Sequence, residues 1–539
     1  MFVIYVDVNN VYGPHDGNSW STAFNDLQNA LDIAETNPGT KILVAEGIYI
    51  PSKIYSPNGI PGGSASITYP NIISPNMFTF NIPNNTTLIG GFCGKKYNSC
   101  RCNCSCSERD VKKYKTFLSG GNISWHVVIL GNDVAHTGVF VVIDGFIITQ
   151  GNAQGPIFNN TIVTEFMYAH SYGAGIYSIF GSSLTLKNTI LKMNNANGIG
   201  GGIFSISSDI LIKKSIFCNN ISNQQAGALA IYNTYESISH FAKVINSTFD
   251  NNKSVDFGGA IVIEGTLQNS LTSSILINCI FTNNYALEGG AVVVDSEQTD
   301  INYCKFIKNS SAVNAGAIAT TNIVNTIASA IANPPVPLIL TTTNINNCLF
   351  EDNITLGNQP LRDFLQFMVA GPADGINFPL GGGAVVCYMN GLLNINDSKF
   401  INNTALNSNG GAILNGKSSA SSPLGIPGIT AFAVTTNISR CVFEANSAVD
   451  GGAISSEPST FVFVPPLNIT VADTVLNTSC SSFINNKALG NGGAIYLNKT
   501  TATLNGNDFT CNIANNGKNI YASNSIINGT SQILYIKNC

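Results

Sequence analysis

The sequence is poor in charge, and this shortage excludes several classes of protein. Charged residues make up 10% of the 539 residues, and the formal net charge is −5. No stretch concentrates lysine or arginine, so nucleic acid is not an expected partner. No run of about 18 apolar residues exists either, so we expect no transmembrane segment. Low charge is typical of disorder only where apolar residues are scarce, and here they reach 44%.

The chain also lacks two features that would point to secretion as a small, cross-linked domain. Residues 1–7 contain neither a basic segment nor a long apolar segment, and they predict a first β-strand rather than a signal peptide. The 14 cysteines do not form a dense, even framework, because five of them lie between Cys93 and Cys106 and the others are scattered. The redox compartment therefore stays open.

What the sequence does contain is a degenerate repeat, the first thing to look for in a chain of this length. A phenylalanine followed three residues later by asparagine recurs along most of the chain. The pairs are Phe217/Asn220, Phe249/Asn252, Phe281/Asn284, Phe306/Asn309, Phe350/Asn353, Phe400/Asn403, Phe443/Asn446, Phe483/Asn486 and Phe509/Asn512. Successive phenylalanines are 25 to 50 residues apart in these pairs, so the unit has a short minimal form that accepts insertions.

A block of small residues follows most of these pairs by about ten residues. Its full form is Gly-Gly-Ala followed by isoleucine or valine, and it begins at Gly258, Gly289, Gly410, Gly451 and Gly492. The short apolar runs around it are rich in valine and isoleucine and are bounded by turn residues, which indicates strands rather than helices. The glycine pair is expected to provide positive φ and close backbone approach at a corner. The Phe and the Asn are expected to stack from coil to coil, and the Asn is expected to accept a left-handed conformation.

These features predict an all-β fold, a right-handed parallel β-helix solenoid. One coil of two or three short strands cannot bury its apolar face alone, whereas stacked coils pair their backbones and close a common core. Residues 1–150 lack the repeat and are predicted to form an N-terminal cap and the first coils, with residues 151–539 forming the repeat β-helix. Ser21 and Thr22 are predicted to cap a helix that runs to about Glu35 and covers the first coil.

The repeat over residues 170–525 resembles the passenger domains of chlamydial polymorphic outer-membrane proteins, which share the Gly-Gly-Ala-[Ile/Leu/Val] and Phe-x-x-Asn motifs. The opening segments, Tyr5 to Tyr49 and Leu88 to Asp110, are similar to the start of pectin-lyase-like β-helix proteins. The resemblance implies a surface-displayed adhesin on a right-handed β-helix. Similar repeats occur in surface and virion proteins, so an extracellular, cell-surface or virion-surface location is expected.

The cysteine cluster offers two alternatives. Cys100, Cys102, Cys104 and Cys106 alternate with other residues, and thiolates at such spacing are potential ligands for zinc or copper. The other interpretation is an insertion loop held by disulfides among these four and Cys93.

A second group of cysteines differs from the cluster, because each precedes a motif Phe by two residues in a position that serine occupies elsewhere. Its members are Cys279, Cys304, Cys348 and Cys441. That pattern indicates a small buried position.

Acidic residues and catalytic motifs give weaker signals. Asp256, Glu288 and Asp450, with Asn409 and Asn491, precede the glycine pairs, where stacked acids could hold calcium or could simply form turns. The five histidines are scattered, and no acid pair or arginine cluster suggests a lyase or a glycosidase. Catalytic residues therefore stay unknown, and no cofactor other than calcium is suggested.

Several turn asparagines also lie in Asn-x-Ser/Thr sequons, including Asn122, Asn220, Asn252, Asn309 and Asn353. Glycosylation would place those turns on the surface, whereas an Asn-rich chain also generates sequons by chance.

The expected function is an adhesive or structural surface protein that presents insertion loops, near residues 320–345, 357–382 and 416–436, to a host-surface receptor or a glycan. The alternatives are a depolymerase acting on polysaccharide in a groove along one sheet and a coat or virion component that self-assembles. Self-association through an uncapped C-terminal coil is a further expectation.

Overall fold

A computed structural model of the chain describes residues 2–11, 13–54, 75–94, 108–131, 138–155, 170–179, 181–233, 240–265, 273–322, 341–361, 375–377, 379–389, 391–422, 434–463, 470–471, 474–529 and 536–537. Short parallel strands dominate these residues, and each pairs with the equivalent strand of a neighbouring coil. The predicted parallel β-helix is therefore confirmed.

The chain divides into two units, residues 1–232 with 240–252 and residues 233–239 with 253–539. The predicted boundary at residue 150 separates the chain by sequence pattern rather than by contacts, and it stays a prediction. In both units the strands belong to four sheets, which we call S1 to S4. A coil passes through them in the order S4, S1, S2, S3.

The first unit contains the N-terminal strands of each sheet. In S1 they are Val3–Val6, Lys41–Ala45, Thr86–Phe92, Phe140–Asp144, Ser183–Lys187, Asp209–Lys213 and Phe241–Ile245. In S2 they are Gly47–Tyr49, Thr116–Ser119, Phe146–Thr149, Ile190–Lys192, Ile216–Cys218 and Thr248–Asp250. In S3 they are Asn152–Ala153, Asn195–Ala196 and Ile221–Ser222, and in S4 Phe80–Asn81, Val128–Leu130, Ile176–Ser178, Ile203–Ile206 and Leu229–Asn233.

The second unit continues the same pattern with the repeat coils. In S1 its strands are Ser273–Ile277, Gln298–Asn302, Thr341–Asn346, Gly391–Asn396, Val434–Ser439, Thr474–Ser479, Thr500–Asn505 and Ile526–Asn528. In S2 they are Ile280–Thr282, Lys305–Ile307, Leu349–Glu351, Lys399–Ile401, Val442–Glu444, Ser482–Ile484, Asp508–Thr510 and Ile536–Lys537. In S3 they are Lys253–Ser254, Tyr285–Glu288, Ser310–Asn314, Ile354–Thr355, Thr404–Ala405, Ser447–Ala448 and Lys487–Ala488. In S4 they are Ile261–Gly265, Val292–Asp295, Ile318–Thr320, Val385–Cys387, Ile413–Gly416, Ile454–Glu457, Ile495–Asn498 and Ile520–Ser523.

The repeat coils up to Lys487–Ala488 thus have four strands, not the two or three that the spacing predicted. The additional strand is the short segment of S3 directly after the Asn turn, for example Ser310–Asn314. Only two or three backbone positions pair there in most coils, which leaves too few residues for an alternating pattern to be recognised in the sequence.

The N-terminal helix exists but begins later than predicted. It spans Leu27–Thr36, and its N-cap is Asp26, whose Oδ1 accepts a hydrogen bond from the Gln28 backbone N–H at 2.9 Å. Ser19 caps a separate 3-10 turn at Trp20–Thr22. The reason is that Phe24 pairs with Val6 as extended backbone, which separates the two turns. Leu27, Ala30, Leu31 and Ala34 are buried and form the inner face of the helix.

Side chains alternate along the strands of S1, and every second one is buried in the core. S4 differs, because all described residues of Ile318–Thr320, Val385–Cys387, Ile413–Gly416 and Ile454–Glu457 are buried, so both of its faces are covered there. A small fifth sheet forms from strands of the insertions, namely Gly375–Asn377, Ser419–Ser422, Thr460–Phe463 and Thr470–Val471. Among the described residues, no helix is long and apolar enough to cross a membrane.

Candidate functional site

The repeat phenylalanines stack inside the second unit as a continuous column. From Phe281 through Phe306, Phe350, Phe400, Phe443 and Phe483 to Phe509, neighbouring ring centroids are 4.6 to 4.9 Å apart. In the first unit, Phe217 and Phe249 stack at 4.7 Å. All of these rings are buried. Because each ring sits on the next at nearly the strand spacing, the column fixes the register of the coils.

The repeat asparagines form a second buried column, which we call the inner amide column. In the second unit it contains Asn284, Asn309, Asn353, Asn403, Asn446, Asn486 and Asn512. Asn403 is typical. Its Nδ2 donates to Asn446 Oδ1 at 3.0 Å and to the Phe350 carbonyl at 3.0 Å, while its Oδ1 accepts from the backbone N–H and Nδ2 of Asn353 at 3.1 and 2.9 Å. Each side chain thereby satisfies polar groups of the coils on both sides.

The left-handed residue of this turn is not the column Asn, as the sequence suggested, but the residue before it. Asn219, Asn283, Asp352, Asn402 and Asn485 have φ between 54° and 56°, and Lys308, Ala445 and Cys511 take the same conformation in their coils. The position tolerates several residue types because only the backbone conformation matters there. The column Asn is invariant in these coils because its amide does the bonding.

The two glycines of the small-residue block have separate roles. The first has a left-handed conformation, with φ of 60° to 71° at Gly258, Gly289, Gly410, Gly451 and Gly492. The second leaves no space for a side chain, since a Cβ at Gly411 would lie 2.1 Å from the Gly452 carbonyl oxygen. Both predicted glycine properties are present, one at each position.

The outer face of S1 in the second unit carries two rows of polar side chains, which we call the amide face. The first row consists of Asp300, Asn344, Asn394, Asn437, Asn477 and Thr503, and the second of Asn302, Asn346, Asn396, Ser439, Ser479 and Asn505. The inward residues between the two rows, such as Ile345 and Ile395, are buried. Apart from the exposed Asn505, the side chains of both rows are half-buried and accessible from one side.

Amide-to-amide hydrogen bonds connect the first row. Nδ2 of Asn394 donates to Asn344 Oδ1 at 2.9 Å, and Nδ2 of Asn437 donates to Asn394 Oδ1 at 2.8 Å. At one end of the row Asn344 Nδ2 donates to the Asp300 carboxylate at 2.8 Å, and at the other Asn477 Nδ2 donates to Asn437 Oδ1 at 2.8 Å. In the second row Asn396 donates to Asn346 at 3.1 Å. An amide offers two N–H donors and two acceptor lone pairs. The row uses one donor and one lone pair of each interior amide, so one donor and one lone pair of each are not used within the row.

A shallow groove of about 420 Å³ lies along this face. Its lining residues are Asn344, Asn394, Asn396, Asn437, Ile438, Ser439, Asn477, Thr478, Ser479, Thr503 and Asn505. None of these side chains is ionisable. At the neighbouring turn, Arg440 and Asp397 form an exposed ion pair of 2.7 Å, and Arg440 holds the pKa of Asp397 below its usual range. The groove offers hydrogen bonding without a general acid or base.

The sequence prediction missed this face, although a signal for it exists. In six successive coils the first-row residue lies six positions before the motif Phe and the second-row residue four positions before it, as with Asn394, Asn396 and Phe400. Aligning the coils on the Phe reveals both rows. Without that alignment they disappear into an Asn-rich composition, because the coils differ in length.

Two of the acids that precede the glycine pairs lie in adjacent coils of the second unit, where the Glu288 backbone N–H donates to the Asp256 carbonyl at 3.0 Å. Glu288 is fully buried, accepts a hydrogen bond from the Tyr388 hydroxyl, and has its pKa raised by burial to about 7. Burial also raises the pKa of Asp256 to about 6. Asp450 Oδ1 accepts from Nδ2 of Asn491 at 3.0 Å, and the Oδ1 of Asn409 lies 3.3 Å from the Asp450 backbone N–H. Within the described part of the chain, no three His, Cys, Asp or Glu side chains come together to hold a metal. The described residues therefore provide no support for the predicted calcium site.

The cysteines that precede the motif Phe occupy buried positions in the wall of the coil. The backbone N–H of Cys304 lies 3.4 Å from Cys348 Sγ, and that of Cys348 donates to Ser398 Oγ at 3.1 Å. Cysteine and serine therefore act as equivalent small acceptors. Cys93 is buried, with its Sγ 3.5 Å from the Gly94 carbonyl. Cys100, Cys102, Cys104 and Cys106 lie outside the described residues, so their metal-binding or disulfide role stays a prediction.

The predicted sequons divide by exposure. Asn122 is exposed, whereas Asn220, Asn252, Asn309 and Asn353 are buried members of the inner amide column. The Nδ2 atom that would carry a glycan already donates to a carbonyl, at 3.0 Å from Asn309 to Phe281. A glycan on these four side chains would have no space in the folded coil.

The remaining candidates for catalysis do not form one site, although the ring centroids of His126 and His170 lie 6.4 Å apart. His126 and His170 lie in the first unit, and burial lowers their pKa values to about 4 and about 3. The cavity of about 370 Å³ beside the N-terminal helix includes Asp32 and Glu35, but Asp32 is engaged by Lys53 at 2.9 Å. The insertion loops near 320–345, 357–382 and 416–436 lie in large part outside the described residues. Catalytic residues stay unassigned.

Comparison with known proteins identifies the repeat. The Chlamydia polymorphic membrane protein repeat matches residues 246–264 and 481–498. Each segment contains a Phe-x-x-Asn pair and a Gly-Gly-Ala-Ile block, so the resemblance seen in the sequence is confirmed at these coils. No curated protein matches the sequence. Among solved structures, PfbA, a surface adhesin of Streptococcus pneumoniae, is similar at 12% identity and a TM-score of 0.30, over 96% of this chain and 93% of that one.

Proposed function

We propose that this chain is an adhesive protein of a cell surface, a β-helix that binds a receptor or a glycan without chemically altering it. The observation that carries the proposal is the amide face, an open array of hydrogen-bonding side chains on a rigid sheet. The matched repeat supports the location, because the family it defines is one of membrane proteins. The expected partner is a host-surface receptor or a glycan.

The chemistry of the groove favours binding over cleavage. Polysaccharide lyases need a base that removes a proton, and glycosidases need two carboxyl groups placed on either side of the bond. The groove lining supplies only amides, hydroxyls and one apolar side chain. Regular stacking also keeps these groups in fixed positions, which lowers the entropic cost of binding.

The test is adhesion measured together with turnover. Purified full-length chain is applied to cultured cells and to immobilised matrix glycans, and the same preparation is incubated with acidic and neutral polysaccharides with and without calcium. We expect saturable binding with no new reducing ends and no unsaturated-uronate absorbance. Turnover on any substrate would replace this proposal with the depolymerase, and concentration-dependent fibres without adhesion would indicate a coat component.

A further inference from the structure

We propose that the amide face binds a neutral, unbranched polysaccharide that lies along its two rows. This inference rests on the proposed adhesive function and names its ligand class. Three properties of the face carry it: unused hydrogen-bonding groups, a groove lining without ionisable side chains, and a regular repeat.

The first property is the unused capacity of the row amides. Asn394 donates once within the row, to Asn344, and accepts once, from Asn437. One N–H and one lone pair of this half-buried amide therefore take no part in the row bonding. A donor and an acceptor side by side match the hydroxyl groups of a sugar ring, since each hydroxyl donates one hydrogen bond and accepts others.

The second property is the lack of a counter-charge. The groove lining contains no lysine, arginine or histidine, and the neighbouring Arg440 is already paired with Asp397 at 2.7 Å. A uronate, sulfate or phosphate group would lose hydration here without gaining a charged partner. The face therefore selects a neutral chain over an acidic one, and nucleic acid is excluded for the same reason.

The third property is the repeat itself. Six strands contribute to each row, so five steps of about 4.8 Å give a row about 24 Å long, and the two rows are about 6.6 Å apart along the strands. A sugar ring in an extended chain is of similar length to one step. Each contact is weak, because no aromatic side chain lines the groove, so affinity must come from many rings bound at once.

A peptide strand is the less suitable occupant. Peptides bind sheets by pairing with an unpaired strand edge. The strands under the groove, from Thr341–Asn346 to Thr474–Ser479, have paired neighbours on both sides. Their backbone groups are already used, and only side chains face the groove.

Two isosteric double variants test the proposal in the full chain. Asn394→Val with Asn437→Val removes both amides and leaves no polar group. Asn394→Thr with Asn437→Thr also removes both amides but keeps a hydroxyl, which the row already accepts at Thr503. Both variants lose the amide donors of the row, and the thermal midpoint of each is measured to check that it remains folded. Asn407→Ala, an exposed Asn whose amide donates to the Leu356 carbonyl, is the control outside the face.

The probes are hydroxyethyl cellulose, glucomannan and pullulan, with polygalacturonate as the acidic comparison, in affinity electrophoresis and calorimetry. We expect wild type to bind at least one neutral polymer and polygalacturonate more weakly. The Val pair should weaken binding about tenfold or more, for two lost contacts of about 0.7 kcal/mol each, whereas the Thr pair and Asn407→Ala should stay within about threefold.

Several outcomes would overturn the proposal. If the Val pair binds the neutral polymer as wild type does, the amide face is not the site. If wild type prefers polygalacturonate, or binds no neutral polymer, the ligand class is wrong. Cell adhesion measured on the same preparation separates the two proposals, because adhesion that persists in the Val pair leaves the surface function intact while removing this face from it.

Discussion

At the scale of single residues, the second glycine of each block is the position with the least tolerance. Its hydrogen atom faces the backbone of the next coil, and no rotation of a side chain can relieve a clash with a carbonyl oxygen. We predict that Gly411→Ala destabilises the second unit by about 3 kcal/mol, since the added Cβ would lie 2.1 Å from Gly452 O and 2.6 Å from Ser447 N. Thermal and urea unfolding measure the effect.

Gly506→Ala is the matched control in the same unit. Gly506 has a left-handed conformation, with φ of 59°, which Gly411 does not have, and the nearest atom to an added Cβ at Gly506 is Cys480 Sγ at 3.9 Å. This variant should lose only about 1 kcal/mol, the cost of the backbone conformation. Equal losses in the two variants would show that the close contacts at Gly411 cost no more than an unfavourable backbone conformation does.

The buried carboxyl of Glu288 leads to a prediction about pH. Its pKa rises from a usual 4.5 to about 7, so the folded state holds a proton that the unfolded state releases. The stabilisation is complete below pH 4.5 and is lost as the pH rises through about 7. The difference corresponds to about 3 kcal/mol.

Glu288→Gln keeps the shape and cannot ionise, so it should remove most of this dependence while leaving that of Asp256. Unfolding free energies of both proteins between pH 4 and pH 8, taken from urea titrations, provide the comparison. Parallel curves for wild type and variant would mean that Glu288 is already ionised in the folded state.

The sequons lead to a further prediction at single residues. Expressed through a eukaryotic secretory pathway, the chain should carry glycan at the exposed Asn122 and none at Asn309 or Asn353, whose amides are buried and bonded. Peptide mass mapping before and after glycosidase treatment reads this directly. Full occupancy at Asn353 in folded protein would contradict the inner amide column.

At the scale of elements, the columns explain why the repeat is recognisable at all. Replacing Asn403 by leucine removes an acceptor for two Asn353 donors and a donor to the Phe350 carbonyl, all of them buried. We predict a loss of about 4 kcal/mol from the unsatisfied groups. Chemical denaturation gives the value.

Asn402→Gly serves as the neighbouring control. The Asn402 side chain is exposed and donates one hydrogen bond, to Asp352, and glycine readily adopts the φ of 55° found at this position. Its effect should stay below about 1 kcal/mol. A loss similar to that of Asn403→Leu would assign the stability to the turn as a whole rather than to the column.

The elements also show what the sequence could and could not predict. Phe and Asn at fixed spacing predicted stacked coils, because each side chain needs an identical partner above and below. The N-terminal helix was predicted to begin four or five residues early, because Ser21 and Thr22 suit a cap as well as Asp26 does. Only the pairing of Phe24 with Val6 decides between them. The amide face was missed because its rows are regular only when the coils, which differ in length, are aligned on the motif Phe.

At the scale of the whole molecule, each unit behaves as a series of neighbours, and damage should spread along the coils rather than through the protein at once. In hydrogen exchange, Gly411→Ala should reduce protection most at Thr404–Ala405 and Ser447–Ala448, with the effect decreasing towards Ile280–Thr282. Uniform loss of protection throughout the second unit would instead indicate a single cooperative transition.

The direction of the amide bonds has a consequence for the electrostatics of the solenoid. In the inner column the amide of an earlier coil donates to the later one, as Asn403 does to Asn446, whereas on the outer face the later donates to the earlier, as Asn437 does to Asn394. The two files of amide dipoles are therefore antiparallel, and their fields oppose each other along the axis. Unlike an α-helix, whose aligned dipoles add with length, a stack of these coils can grow by one repeat after another without accumulating a side-chain macrodipole.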